Sequence, residues 1–176
     1  NLKPMAALEF IRGSDPFTEA FSKTDYKYIM PLNFPSAEGY IDQYYSGDTK
    51  KKFKKRFKKM AEENIVILED NFEDIELLFK FNIEQFKNGP IQSMFDREYR
   101  KDIFRDFLKK YENFYARMLT FVVNGEKQAV SLALVYKNNY ASINTGLCAE
   151  PIWNLKEYIH LKKFEDAIGL GCKVFD

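Results

Sequence analysis

The chain has 176 residues, enough to bury a core without disulfide or metal staples. Hydrophobic residues at 45% and charged residues at 30% describe an ordinary globular protein, and a net charge of +1 excludes a bulk field that draws it to nucleic acid or a membrane. A single histidine and two cysteines without CxxC spacing argue against a zinc cage, and no apolar run is long enough to span a bilayer.

The opening residues lack the basic start and long apolar stretch of a secretory signal, so the sequence reads as cytoplasmic. No Met stands first, which suggests a piece of a longer chain. An apolar run at 6–11 ends in the turn cluster Arg12-Gly13-Ser14-Asp15-Pro16, and 17–23 suits a short helix. Residues 26–32 alternate like a strand that Pro31 and Pro35 close, and 37–45 suits another short helix. Residues 1–48 form no self-sufficient core and read as a lead-in to a main domain at 49–176.

Residues 50–59 hold seven lysines and Arg56, with Phe53, Phe57 and Met60 at helical spacing. This is a basic helix with one apolar face. Glu69, Asp70, Glu73, Asp74 and Glu76 follow it and are candidates to neutralise part of its charge. Ile65-Val66-Ile67-Leu68 reads as a buried strand. Asn71, with Asp74 three residues on, is a candidate N-cap for a helix whose face carries Ile75, Leu78, Phe79, Ile83 and Phe86. Asn88-Gly89-Pro90 stops that helix. A second begins near Asp96 with Ile103, Phe104, Phe107, Leu108 and Tyr111 as its stripe.

The period then shifts from 3.6 to 2. Residues 115–123 and 128–136 are strands joined at Asn124-Gly125, a strong hairpin signal. Asn138-Asn139 makes a second turn into a strand over 140–148. Residues 155–170 read as a helix with Leu161, Phe164 and Ile168 inward, and a last strand begins at Cys172. A helix between the last two strands implies a parallel crossover. Parallel strands set Cys148 and Cys172 about 17 Å apart, too far for a disulfide.

The order strand, helix, helix, three antiparallel strands, helix, strand resembles the GNAT acyltransferase core, a mixed twisted α/β sheet with helices on both faces. Three stretches carry the likeness. They are Tyr28-Ile29-Met30-Pro31-Leu32 leading into the basic helix, Val123-Asn124-Gly125-Glu126 through Leu134, and Ala167-Ile168-Gly169-Leu170-Gly171 into Val174-Phe175-Asp176. In detail they are similar to the CelD/BcsL-type branch, related to the FemAB-like aminoacyl transferases. On this resemblance 1–48 is a lead-in or the tail of a preceding GNAT-like half, and 49–176 a GNAT-like domain incomplete at its C-terminal end.

The resemblance implies transfer of an acyl group from acyl-CoA, or an aminoacyl group from tRNA, to a small or polymeric amine acceptor, without a metal. It implies a strand bulge at Gly146, flanked by Asn144 and Thr145, that aims an N–H at the acyl carbonyl. It implies that Asn154, Leu155 and Lys156, opening the last helix, hold the donor's phosphates. The usual Gly-rich turn is replaced by Ala149-Glu150-Pro151-Ile152-Trp153-Asn154. Lys51, Lys54, Lys55 and Lys58 of the basic helix are the candidate contacts for a CoA tail, tRNA or another polyanion.

Each motif has a plainer reading. Gly146 can be an ordinary strand glycine, Asn154 a helix cap, and the lysine run a solvated face. His160 is read as a packed or partly exposed structural histidine rather than a base, Trp153 as a buried anchor for its loop, and both cysteines as packed thiols. No catalytic residue is assigned. A GNAT-like module without catalysis stands as the alternative function.

Overall fold

A computed structural model describes residues 29–109 and 114–176. The expected run and helix at 6–11 and 17–23, residues 26–28 of the first strand, and Tyr111 lie outside these.

Among the described residues twelve elements follow one another. β1 (Met30–Pro31), α1 (Ala37–Tyr44) and α2 (Gly47–Glu62) lead into β2 (Ile65–Glu69). A 3-10 turn, Phe72–Asp74, precedes α3 (Ile75–Phe86) and α4 (Glu98–Phe107). Then come β3 (Tyr115–Val123), β4 (Glu126–Tyr136), β5 (Asn139–Leu147), α5 (Leu155–Gly169) and β6 (Val174–Phe175). The strands form one sheet in the order β1-β6-β5-β4-β3-β2. Among the described strands only β5 and β6 run parallel; the other neighbours are antiparallel. The fold is the expected mixed α/β sheet, with helices on both faces.

Strand alternation sorts the core into two layers. Met118, Val130 and Leu132 point to one face, where Leu78, Phe79 and Phe104 of α3 and α4 cover them. Leu119, Phe121 and Ala129 point to the other, against Met60 of α2 and Leu155 and Ile159 of α5. On that second face α1 adds Ala37 and Ile41 to a cluster with Tyr140, Phe164 and Phe175. Ser36 caps α1, its side chain accepting from Gly39 N at 3.1 Å.

Both meander turns have two residues at positive φ, the twist that suits tight hairpins. Asn124 and Gly125 stand at 52° and 87°, as expected. The second turn uses Lys137 and Asn138, at 44° and 64°, one residue earlier than Asn138-Asn139, because Asn139 already pairs with Tyr136.

Four other expectations are corrected. β2 is an edge strand, so Val66 remains 51% exposed where a buried strand was expected. Asn71 does not cap α3 with its side chain; its amide donates to Asp74 Oδ2 at 2.9 Å. Asp74 also accepts from Thr120 and Lys127, at 2.8 and 2.6 Å. Burial alone raises its pKa, but these bonds outweigh that and hold the carboxyl below its ordinary value. Ile103 is exposed, because α4 turns only Phe104 fully inward. Finally, four of the five acidic residues after α2 pair elsewhere rather than with it. Glu69 and Asp70 bind Arg117, Asp74 binds Lys127, and Glu76 binds Arg105.

Arg117 is buried on the α5 face and also binds Asp166 of α5 at 2.6 Å. That pair fixes α5 against β3, and α5 is the element that carries one wall of the cleft described next.

Candidate functional site: a cleft beside the bulge in β5

β6 pairs with β5 through Asn139↔Val174 and Tyr140↔Phe175. Ser142 N donates to Asp176 O at 2.8 Å, and β5 continues to Leu147. A bulge falls at the same place. Leu132 faces Asn144 while Ala133 faces Ser142, so Ile143 is the extra residue. Cys148 N donates to Gln128 O at 2.9 Å. By antiparallel alternation Asn144 and Gly146 also turn their backbone groups to β4, and Thr145 and Leu147 turn theirs toward the open side.

A cavity of about 890 Å³ occupies that side, reaching both faces of the sheet. Asn82 and Gln85 of α3 line one wall; His160 and Lys163 of α5 line the other. The volume suits a drug-sized or cofactor-sized ligand.

The α3 wall is a fixed polar chain. Ser93 Oγ accepts from Phe95 N at 3.0 Å and donates to Asn82 Oδ1 at 2.6 Å. Asn82 Nδ2 donates to Asn144 Oδ1 at 3.2 Å, and Asn144 Nδ2 reaches Met94 Sδ at 3.0 Å. Asn82 is 4% exposed, so these bonds satisfy a buried amide and set the orientation of Asn144.

The α5 wall carries the site's perturbed groups. Lys163 is 7% exposed, and its Nζ donates to Ser142 Oγ at 2.9 Å and Thr145 Oγ1 at 3.4 Å. Thr145 Oγ1 in turn lies 3.0 Å from Ser131 Oγ. Burial without a carboxylate in hydrogen-bond contact pushes the Lys163 ammonium down to about 8. His160 stands one turn earlier, its ring edge-on to Phe164 with centroids 4.6 Å apart. Solvent reaches the ring from the cleft, yet desolvation by the surrounding wall, helped by Lys163, pushes its pKa down to about 4. The imidazole is therefore neutral at neutral pH.

The sequence-chosen residues fall in several places. Asn144, Thr145 and Lys156 line the cleft. Gly146 does not make the bulge, which sits at Ile143 instead. A Cβ on Gly146 would lie 2.8 Å from Leu78 O, so the glycine answers the close approach of α3. Leu155 is core, at 1% exposure. Asn154 lines a separate small recess against α2. It precedes α5 at φ 64° with no side-chain cap bond, so an asparagine takes the left-handed turn there.

On α2, Lys51, Lys55 and Lys58 are exposed. Lys54 is already held by Asp42 at 2.7 Å, which lies in α1. Trp153 is 66% exposed rather than a buried anchor, and Arg56 stacks over its ring at 5.3 Å. Cys148 and Cys172 are free thiols, as expected.

Reading the sequence missed Lys163, Ser142 and Asn82. For Lys163 a signal existed: it stands at i+4 from Ile159 and i+8 from Leu155, both buried, so it interrupts an apolar stripe. Asn82 and Ser142 carry no comparable mark.

A family model described as "Acetyltransferase (GNAT) domain" matches residues 47–176. Among solved structures, L-PGS from Bacillus licheniformis is similar, with a TM-score of 0.57 at 12% identity. The alignment covers 84% of this chain and 44% of that one, so the chain spans less than half its length. No curated protein matches the chain. Among the described residues no helix is long and apolar enough to cross a membrane, and no group of three or more His, Cys, Asp or Glu is placed to hold a metal ion.

Proposed function

The chain belongs to the GNAT acetyltransferase domain family, and on that premise we propose that its cleft transfers an acyl group from acyl-CoA to an amine. The observation that carries this reading is the bulge at Ile143 of β5 beside a cavity walled by α3 and α5. An extended donor arm can lie along β5 in that cavity, its amides meeting the outward N–H and C=O groups of Thr145 and Leu147. Those N–H groups are fixed before any ligand arrives, which suits them to oppose the charge that develops on a carbonyl oxygen. Asn144 and Thr145 flank the reacting group in this reading. Lys156, in the first turn of α5, meets the donor's phosphates, aided by that helix terminus. Gly146 contributes by letting α3 close one wall, and Asn154 and Leu155 by setting where α5 starts.

Within the family, the three sequence stretches favour the CelD/BcsL-type branch and its FemAB-like relatives. The exposed Lys51, Lys55 and Lys58 of α2 favour a second donor, an aminoacyl group carried by tRNA. A module without catalysis is the competing function, favoured by Glu150 in a glycine-free turn.

Calorimetric titration with acetyl-CoA tests the proposal. Binding by the wild type, lost in Thr145→Trp because the indole fills the cavity, is the expected result. Wild-type protein that binds neither acetyl-CoA nor CoA contradicts it.

A further inference from the structure

We propose that Lys163 is the proton acceptor of the transfer reaction, taking the proton from the attacking amine while Ser142 and Thr145 hold its Nζ in the cleft. The inference rests on the acyl-transfer reading above and names a residue for a step which that reading leaves open.

Three features of the site carry it. First, Lys163 is buried in the cleft wall, and its Nζ is bonded to two hydroxyls and no carboxylate. A carboxylate in contact would lock the ammonium in its charged form. A hydroxyl accepts from an N–H or donates to a lone pair, so it tolerates either state. Second, one of those hydroxyls belongs to Thr145, whose backbone faces the open side where the proposed donor lies. Nζ is 3.4 Å from Thr145 Oγ1, so a proton released beside Thr145 is within reach. Third, burial rather than a charged neighbour sets the state of the ammonium; Asp176 meets Ser142 through its backbone carbonyl at 2.8 Å. His160 on the same helix is neutral near pH 7. Asp166, one turn on, is committed to Arg117 at 2.6 Å. From β5 comes the phenol of Tyr140, held protonated by burial, and from α1 that of Tyr40, likewise. Lys156 and Glu157 stand further along α5 at the helix's other end. The facing residues of α3, Asn82 and Gln85, carry no charge. The depressed pKa of about 8 agrees with this geometry.

The step balances within the site. The acceptor nitrogen bonds to the thioester carbon while Lys163 Nζ takes one of its protons. The C–S bond breaks with its electron pair on sulfur. The thiolate recovers the proton from Lys163, giving an amide, a free thiol and a lysine restored to its neutral form.

The test uses the intact chain, Lys163→Met and Lys163→Arg. Acetyl-CoA affinity is read by calorimetry, and thiol release with a panel of primary amines is read between pH 6 and 10. The expected result is affinity retained within about threefold and release lowered about a hundredfold in both variants. The wild-type rate should climb through a single ionisation near 8 that both variants lack. A variant that keeps that ionisation overturns the proposal, as does acetyl-Lys163 on intact mass, which would make the residue a nucleophile. If the wild type binds no acetyl-CoA, the donor reading fails separately. Competitive labelling of the lysines with trace acetic anhydride across pH, which needs no donor, then decides whether Lys163 titrates near 8 as required. Titration near 10.5 overturns the assignment.

Discussion

At the residue scale, Lys163 and His160 make the same demand on pH in two different windows. Lys163 has a folded pKa of about 8 against an ordinary 10.5. Below pH 8 the folded chain must bury its charge, so the residue opposes folding there. Between pH 8 and 10.5 the unfolded chain holds the extra proton, and stability rises with pH. Lys163→Met should therefore be more stable than the wild type at pH 7, by about 1–2 kcal/mol after the loss of the Ser142 bond. Its denaturation curves should lack the rise between pH 8 and 10.5. His160 has a folded pKa near 4 against an ordinary 6.5, so it supports folding above pH 6.5 and withdraws that support as pH falls toward 4. His160→Gln should flatten the loss of melting temperature across that window. Neither behaviour is legible from residue type alone. Lys163 betrays itself only as a polar break in the Leu155–Ile159 stripe, and His160 is perturbed by the wall around it, which no spacing reveals.

At the scale of the element, the periodic segments were the readable ones. β3 and the hairpin at Asn124-Gly125 came directly from alternation and turn chemistry, and α2 from Phe53, Phe57 and Met60. The misreadings arose where tertiary neighbours decide. A continuous apolar run gave β2 no hint that it would lie at the sheet's edge, and Gly146 looked like a bulge because the helix above it was invisible. That glycine yields a sharp expectation. Gly146→Ala puts a methyl 2.8 Å from the Leu78 carbonyl, a backbone atom that cannot step aside. It should cost about 1–3 kcal/mol in urea denaturation. A role in donor contact alone would leave stability unchanged. α2 gives another. Lys51, Lys55 and Lys58 are exposed, whereas Lys54 is held by Asp42. Replacing the first three by Gln should bring heparin elution to lower salt and flatten its salt dependence, and adding Lys54→Gln should do little more. Unchanged elution assigns the run to a solvated helix face.

For the whole molecule, the decisive feature is the bulge in β5 beside a cleft that helices from both faces wall. The crossover through α5 was foreseeable, since a helix must separate parallel neighbours. The bulge at Ile143 was not, because no spacing marks it. Beyond it, Asn144, Thr145 and Leu147 of β5 line the cleft between α3 and α5. In the proposed function that stretch is what the donor arm meets. Hydrogen exchange with and without acetyl-CoA tests that account most directly. Amides of 143–148 and 154–160 should gain protection when acetyl-CoA is added, while those of α4 stay unchanged. Binding with protection elsewhere and none along 143–148 would contradict it.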